Sequence, residues 1–218
     1  MNIEKARFNM IEQQIRTWDV LDTDVLDLLL LVRREAFVPI GYKSLAFFDT
    51  EIPLSSQASM FTPKLEARLM QEASPKKHEV VLEIGAGSGY MAALLAHKAR
   101  HVTTVEIDPA LVSMAEKNLR DYGVSNVTVV EGDGARGWES DHASYDLIMV
   151  SGSLPVLPDS LLQQIKVGGR LLAIVGEAPI MSAQLVTRVT EAAFHTEVLF
   201  ETQVAPLRNA QAVPHFAF

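Results

Sequence analysis

Between residues 78 and 176 the chain alternates short apolar runs with helical ones, and that alternation leaves few folds open. EVVLEIG, HVTTVEI, NVTVVEG, YDLIMVS and RLLAIVG each read as a buried strand, separated by MAALLAHKA, PALVSMAEKNLRDYG and PDSLLQQIKVGG at helical spacing. Strands that alternate with helices predict an α/β fold, a doubly wound and mostly parallel sheet with helices on both faces. The later stretch AQLVTRVTEAAFHTEVLFETQV holds two β-rich runs with no helix between them, which predicts an antiparallel hairpin closing the C-terminal edge.

Ahead of the alternation lies a helical segment. Apolar residues recur at helical spacing over 4–16 (Phe8, Ile11, Ile15) and 22–32 (Val25, Leu28, Leu29, Val32), with Asp22 or Thr23 as cap. An irregular stretch marked by Pro39 and Pro63 follows, then a helix over 64–73. The expected organisation is one domain over 1–218: helices and a loop to 75, an α/β core over 76–180, then the hairpin and tail. The apolar end AVPHFAF is expected to dock on the body or on a partner subunit.

Composition removes several chemistries. The chain has 218 residues and no cysteine, so disulfides, thiolate metal sites and a cysteine nucleophile are excluded, and the compartment is expected to be cytoplasmic. The six histidines, at 78, 97, 101, 142, 195 and 215, lack metal-ligand spacing, and no metal is expected. The first residues alternate charge with apolarity, unlike a signal peptide, and the apolar run Val25 to Val32 is too short to span a bilayer. A net charge of -8 argues against a nucleic-acid surface and suits a cationic ligand. Oligomeric state is open.

The first chemical signal is Glu83-Ile84-Gly85-Ala86-Gly87-Ser88-Gly89, directly after a strand and opening a helix. Glycines there let the backbone turn sharply and approach a ligand, although a tight turn without a ligand looks the same. The G-A-G-S-G order lacks the G-x-G-x-x-G spacing for a dinucleotide and suits a nucleoside better. Glu106 ends the next strand, where a carboxylate either accepts from ribose hydroxyls or caps the helix starting at Asp108-Pro109. Asp133-Gly134 ends the third, where Asp133 either accepts from an adenine amino group or makes an ordinary Asp-Gly turn. All three lie at carboxyl ends of consecutive strands, where open α/β sheets bind ligands.

Together with VRREAFVP, IPL, VVLEIGAGSGY, EGDG, YDLIMVSGS and VGGRLLAIVGE, these residues resemble the protein-L-isoaspartate O-methyltransferase family over nearly the whole chain. The resemblance implies a Rossmann-like sheet and S-adenosylmethionine as cofactor. It implies Glu83, Gly85, Ala86, Gly87, Gly89, Glu106, Asp133, Gly134 and Ser151 as its site. It also implies proteins or peptides bearing isoaspartate as substrates, methylated on a carboxylate so that the ester cyclises to a succinimide and partly reopens as aspartate. A carboxyl group of pKa about 4 is already ionised near neutrality, so the transfer needs placement rather than a general base.

The loop SSQASMFTP is where the chain departs from that family. The family loop typically reads P-x-G-x-G-Q-T-I-S-x-P, with its last serine orienting the substrate carboxylate. Laying Pro53 and Pro63 on the two prolines puts Phe61 on that serine. Three readings stay open. Ser59 or Thr62 supplies the hydroxyl, with Ser59 the expected catalytic residue; or the loop serves another acceptor; or the chain binds the cofactor without this activity. Further on, Ser151-Gly152-Ser153-Leu154-Pro155 replaces the family's T-A-A-P, and Val204-Ala205-Pro206-Leu207 replaces F-V-P-L, whose backbone holds the substrate peptide.

Overall fold

The computed structural model describes residues 2–138 and 144–212. His142, His215 and all but the first residue of AVPHFAF lie outside the described residues. Helix α1 (Ile3–Asn9) runs into a π-helical turn, Met10–Ile15, and a 3-10 turn, Arg16–Trp18. The wider π turn re-phases the helix. Met10, Ile11 and Ile15 are buried while Phe8, expected on the apolar face, is 55% exposed. Its inward place goes to Arg7, which donates to Glu4 Oε2 and Glu35 Oε1. Helix α2 (Thr23–Leu31) follows as expected, with the Asp22 carboxylate accepting from Asp24 N–H at its start.

The Pro39-to-Pro63 stretch is not featureless. A 3-10 turn at Arg34–Ala36 precedes it, and it carries a 3-10 turn at Ile40–Leu45 and a two-pair hairpin of β1 (Ile52–Pro53) and β2 (Ser59–Met60). Helix α3 (Pro63–Ala73) begins directly after, with proline in its first turn.

The core unit is then β3 (Val80–Ile84), α4 (Tyr90–Lys98), β4 (His101–Glu106), α5 (Pro109–Tyr122), β5 (Val127–Glu131), β6 (Tyr145–Leu154), α6 (Asp159–Gln163) and β7 (Ile165–Glu177). Strands β8 (Ile180–Arg188) and β9 (Phe194–Glu201) complete a seven-stranded sheet of order β5-β4-β3-β6-β7-β8-β9. Pairing is parallel from β5 through β7 and antiparallel at β7–β8 and β8–β9, so the expected edge hairpin is present.

One helix is shorter than its sequence pattern. In PDSLLQQIKVGG only Asp159–Gln163 is helical, and IKVGG enters β7. The helix is capped at Gln164, and Ile165 already pairs with Tyr145, so the chain is extended before the glycines are reached.

Strand residues alternate between two apolar layers. Val81, Leu147 and Leu172 pack on α2, α3 and α4; Leu82, Ile148 and Leu171 pack with Leu161 of α6 on the other face. From β3 the chain winds outward through β4 to β5 and returns to β6 on the opposite side of β3. That reversal opens a crevice at the carboxyl ends of β3 and β6.

Candidate active site

A cleft stands over this crevice. Its walls hold Glu83, Gly85, Ala86, Gly87, Glu106, Asp133, Gly134 and Ser151 from the sheet side, and Ser59 from β2. Nine of the ten expected site residues therefore meet in one place. Gly89 does not line it. At φ +83° it caps α4, and a Cβ there would lie 3.3 Å from the Ala115 backbone and 3.2 Å from Leu119, so its smallness serves the packing of α5.

Gly85 turns at φ +97°, and a Cβ on it would stand 2.9 Å from the Ser151 carbonyl. Two backbones approach so closely there that only hydrogen fits. The Glu106 carboxylate, nearly buried, accepts from Gly87 N–H at 2.9 Å and from Asp108 N–H at 3.0 Å. The cap of α5 is Asp108, whose carboxylate accepts from Ala110 N–H. Glu106 instead braces the glycine turn, leaving lone pairs for the cleft. Asp133 makes its local turn, Oδ1 accepting from Ala135 N–H at 3.1 Å, and also lines the cleft.

Glu83 is fully buried. Its partners are hydroxyls: Thr104 Oγ1 donates at 2.7 Å and Ser151 Oγ at 2.8 Å. Burial pushes its carboxyl up to about 8 against the pull of those two hydrogen bonds, with the Glu106 charge adding to the rise. The folded chain thus keeps a proton that the unfolded chain loses near the ordinary value, so stability from this group is full below about 4.5 and lost as pH rises to about 8. Glu83→Gln is expected to flatten the fall in thermal midpoint between those limits; equal slopes for both proteins in a pH series would show that Glu83 stays ionised.

The hairpin loop closes the other wall. Leu54 and Ser55 N–H both donate to the Ala58 carbonyl, and Gln57 N–H to Ser55 Oγ. Burial alternates along the strand, with Ser59 exposed, Met60 buried and Phe61 partly buried. Ser59 and Phe61 share a strand face and both line the cleft, whereas Thr62 does not. The hydroxyl at Ser59 therefore keeps the face of the expected serine, displaced by two residues, about 7 Å along the strand.

Three further groups carry no signal in the sequence. Glu66 lines the cleft from α3, paired at 2.7 Å with buried Arg34; burial pushes its carboxyl up to about 7 despite that partner. From the tail, Arg208 stands 3.3 Å from Asp108 and 4.0 Å from Glu106, and Asn209 Nδ2 donates to Asp133 Oδ2 at 2.8 Å. The tail backbone is itself laced to β6. Ser153 N–H donates to the Ala205 carbonyl, Leu207 N–H to the Ser153 carbonyl, and Ser153 Oγ to the Val204 carbonyl.

The sequence profile of the protein-L-isoaspartate(D-aspartate) O-methyltransferase family matches residues 5–212. The chain belongs to that family. A protein-L-isoaspartate O-methyltransferase of Rhodopseudomonas palustris is 40% identical over 204 residues, covering 93% of each chain. One from Petrotoga mobilis is 31% identical, over 95% of this chain and 97% of that protein. Among solved structures, a protein-L-isoaspartate O-methyltransferase superposes with a TM-score of 0.78 at 24% identity, over 96% of this chain and 67% of that one. A Plasmodium falciparum protein assigned to the same activity, in complex with S-adenosyl-L-homocysteine, gives 0.82 at 18% identity, over 93% and 98%. At such identities the two structures speak for the fold. Among the described residues no helix is long and apolar enough to cross a membrane.

Proposed function

We propose that the chain is an S-adenosylmethionine-dependent protein-L-isoaspartate O-methyltransferase, working in the cytoplasm on proteins and peptides bearing isoaspartate. The observation that carries this beyond family membership is the meeting of Glu106, Asp133, the glycine turn and Ser59 in one cleft at the sheet's switch point. Glu106 accepts from the ribose hydroxyls and Asp133 from the adenine amino group. Gly85, Ala86, Gly87 and Gly134, with Glu83 and Ser151, line the remainder. Gly89 supports the turn from behind.

The cofactor supplies an electrophilic methyl on a sulfonium, which passes to a carboxylate oxygen as the carbon–sulfur bond breaks. No proton moves at the acceptor, which fits a cleft whose acceptor wall carries a hydroxyl and backbone groups. Ser59 Oγ orients the carboxylate, while Phe61 and Leu54 keep water from the reacting line. The laced tail leaves the Ala205 N–H and the Pro206 carbonyl unpaired among the described residues, free to hold a peptide backbone.

The test offers labelled S-adenosylmethionine with matched isoaspartyl and aspartyl peptides. Selective labelling of the isoaspartyl peptide is expected; tight cofactor binding with transfer to neither would sink the assignment. Ser59→Ala should lower kcat/KM on the isoaspartyl peptide by roughly tenfold or more, the loss of one hydrogen bond to a charged group. A rate unchanged in that variant would remove Ser59 from the acceptor site.

A further inference from the structure

We propose that Arg34, held by Glu66, is the positioning residue of the acceptor site: it fixes the Phe61 carbonyl and with it the Ser59–Phe61 wall of the cleft. This rests on the functional reading above and names the part of the chain that makes the loop competent.

Arg34 comes from the 3-10 turn after α2 and is 1% exposed. A buried guanidinium is costly unless every part of its fork is met. Here Nε donates to Glu66 Oε2 at 2.7 Å, Nη1 to the Ala46 carbonyl at 3.0 Å and Nη2 to the Phe61 carbonyl at 2.6 Å. The two carbonyls flank the β1–β2 hairpin, one ahead of it and one directly behind. A single planar side chain therefore clamps both ends of the acceptor loop.

The hairpin needs such a clamp. It has two residue pairs, Ile52 with Met60 and Pro53 with Ser59, too few to hold a conformation unaided. Its tip bears on the glycine turn, where a Cβ on Gly87 would lie 3.1 Å from Leu54. The neighbouring ion pair, Lys64 with Asp49 at 2.7 Å, is about a third exposed at each end and so a weak anchor. Glu66 has a second role in the arrangement. Its Oε1 has no partner among the described residues, and the side chain lines the cleft, so the group that holds Arg34 also faces the space the substrates would fill.

Arg34→Lys keeps the charge and loses the fork, and Glu66→Gln keeps an acceptor for Nε and loses the charge. Both are assayed well below their unfolding midpoints, with Lys64→Ala as a control for the exposed anchor. The expected result for Arg34→Lys is a fall of about tenfold or more in kcat/KM for the isoaspartyl peptide, with cofactor Kd within about twofold of the parent. Glu66→Gln should give a smaller loss of the same kind, and Lys64→Ala almost none.

Cofactor affinity and acceptor kcat/KM falling together in Arg34→Lys, or neither changing, would overturn the proposal. Should Arg34→Lys not fold, Glu66→Gln decides by the same split. If the parent protein methylates no isoaspartyl peptide, the functional reading fails instead. Hydrogen exchange of residues 58–61 then decides the positioning: faster exchange in Glu66→Gln supports it and equal exchange overturns it.

Discussion

Glu106→Ala is expected to weaken S-adenosylmethionine binding by roughly a hundredfold or more. In the proposed role the carboxylate accepts two ribose hydroxyls, and each hydrogen bond to a charged acceptor contributes about 1.5–3 kcal/mol. The substitution also removes the acceptor of the Gly87 and Asp108 N–H groups, 2.9 and 3.0 Å from it, so the glycine turn loses its brace along with the ligand its partner. Glu106→Gln should fall between, since an amide oxygen accepts but the charge is gone. Calorimetry on the folded variants reads the effect, and a Kd for Glu106→Ala equal to the parent's would make the ribose assignment wrong.

Gly85→Ala should damage both stability and binding. At φ +97° an alanine is strained by about 1–3 kcal/mol before any contact is counted. Its Cβ would then stand 2.9 Å from the Ser151 carbonyl, a backbone atom in the centre of the sheet that cannot rotate away. Relief requires β3 and β6 to part at their carboxyl ends, and that separates Ser151 Oγ from Glu83 as well. A loss of about 2–4 kcal/mol corresponds to a midpoint lower by roughly 5–15 °C in a chain of this size, with cofactor affinity largely lost. A midpoint within about 2 °C of the parent's, with binding intact, would mean that the turn has room this geometry denies it.

The sheet was legible in the sequence because each strand is a short apolar run bounded by turn residues, a local pattern that the two-sided burial of a parallel sheet demands. The meeting of Gly85, Glu106 and Asp133 in one cleft was legible for a related reason: they sit at strand ends, and strand ends converge once the sheet is parallel. What stayed hidden depends on contacts between distant residues. Arg7 turns inward to meet Glu35, 28 residues away, and so displaces Phe8 from the face that spacing assigns it. Glu66 looks like a solvated residue in the first turn of α3 until Arg34, 32 positions earlier, folds over it. Arg208 reaches the cleft and Asn209 reaches Asp133 because the tail bridges to Ser153, and that pairing of one residue with one residue leaves no periodic trace. Gly89 stands outside the cleft wall for the opposite reason, since a glycine needed for helix packing and one needed for a ligand look alike in sequence.

The charge of the cleft bears on the sequence in which it fills. Glu51, Glu106 and Asp133 line it, with Glu66 and Glu83 beside them as carboxyls raised toward neutrality, and Arg208 is the cation among them. A carboxylate arriving first would enter a negative field, strengthened by low-dielectric walls. A sulfonium in place would offset part of that negative charge, and after transfer, when sulfur is uncharged, the offset is lost. The same carboxyl groups thereby favour a cation before an anion, and hold the uncharged sulfur less strongly once the methyl has gone.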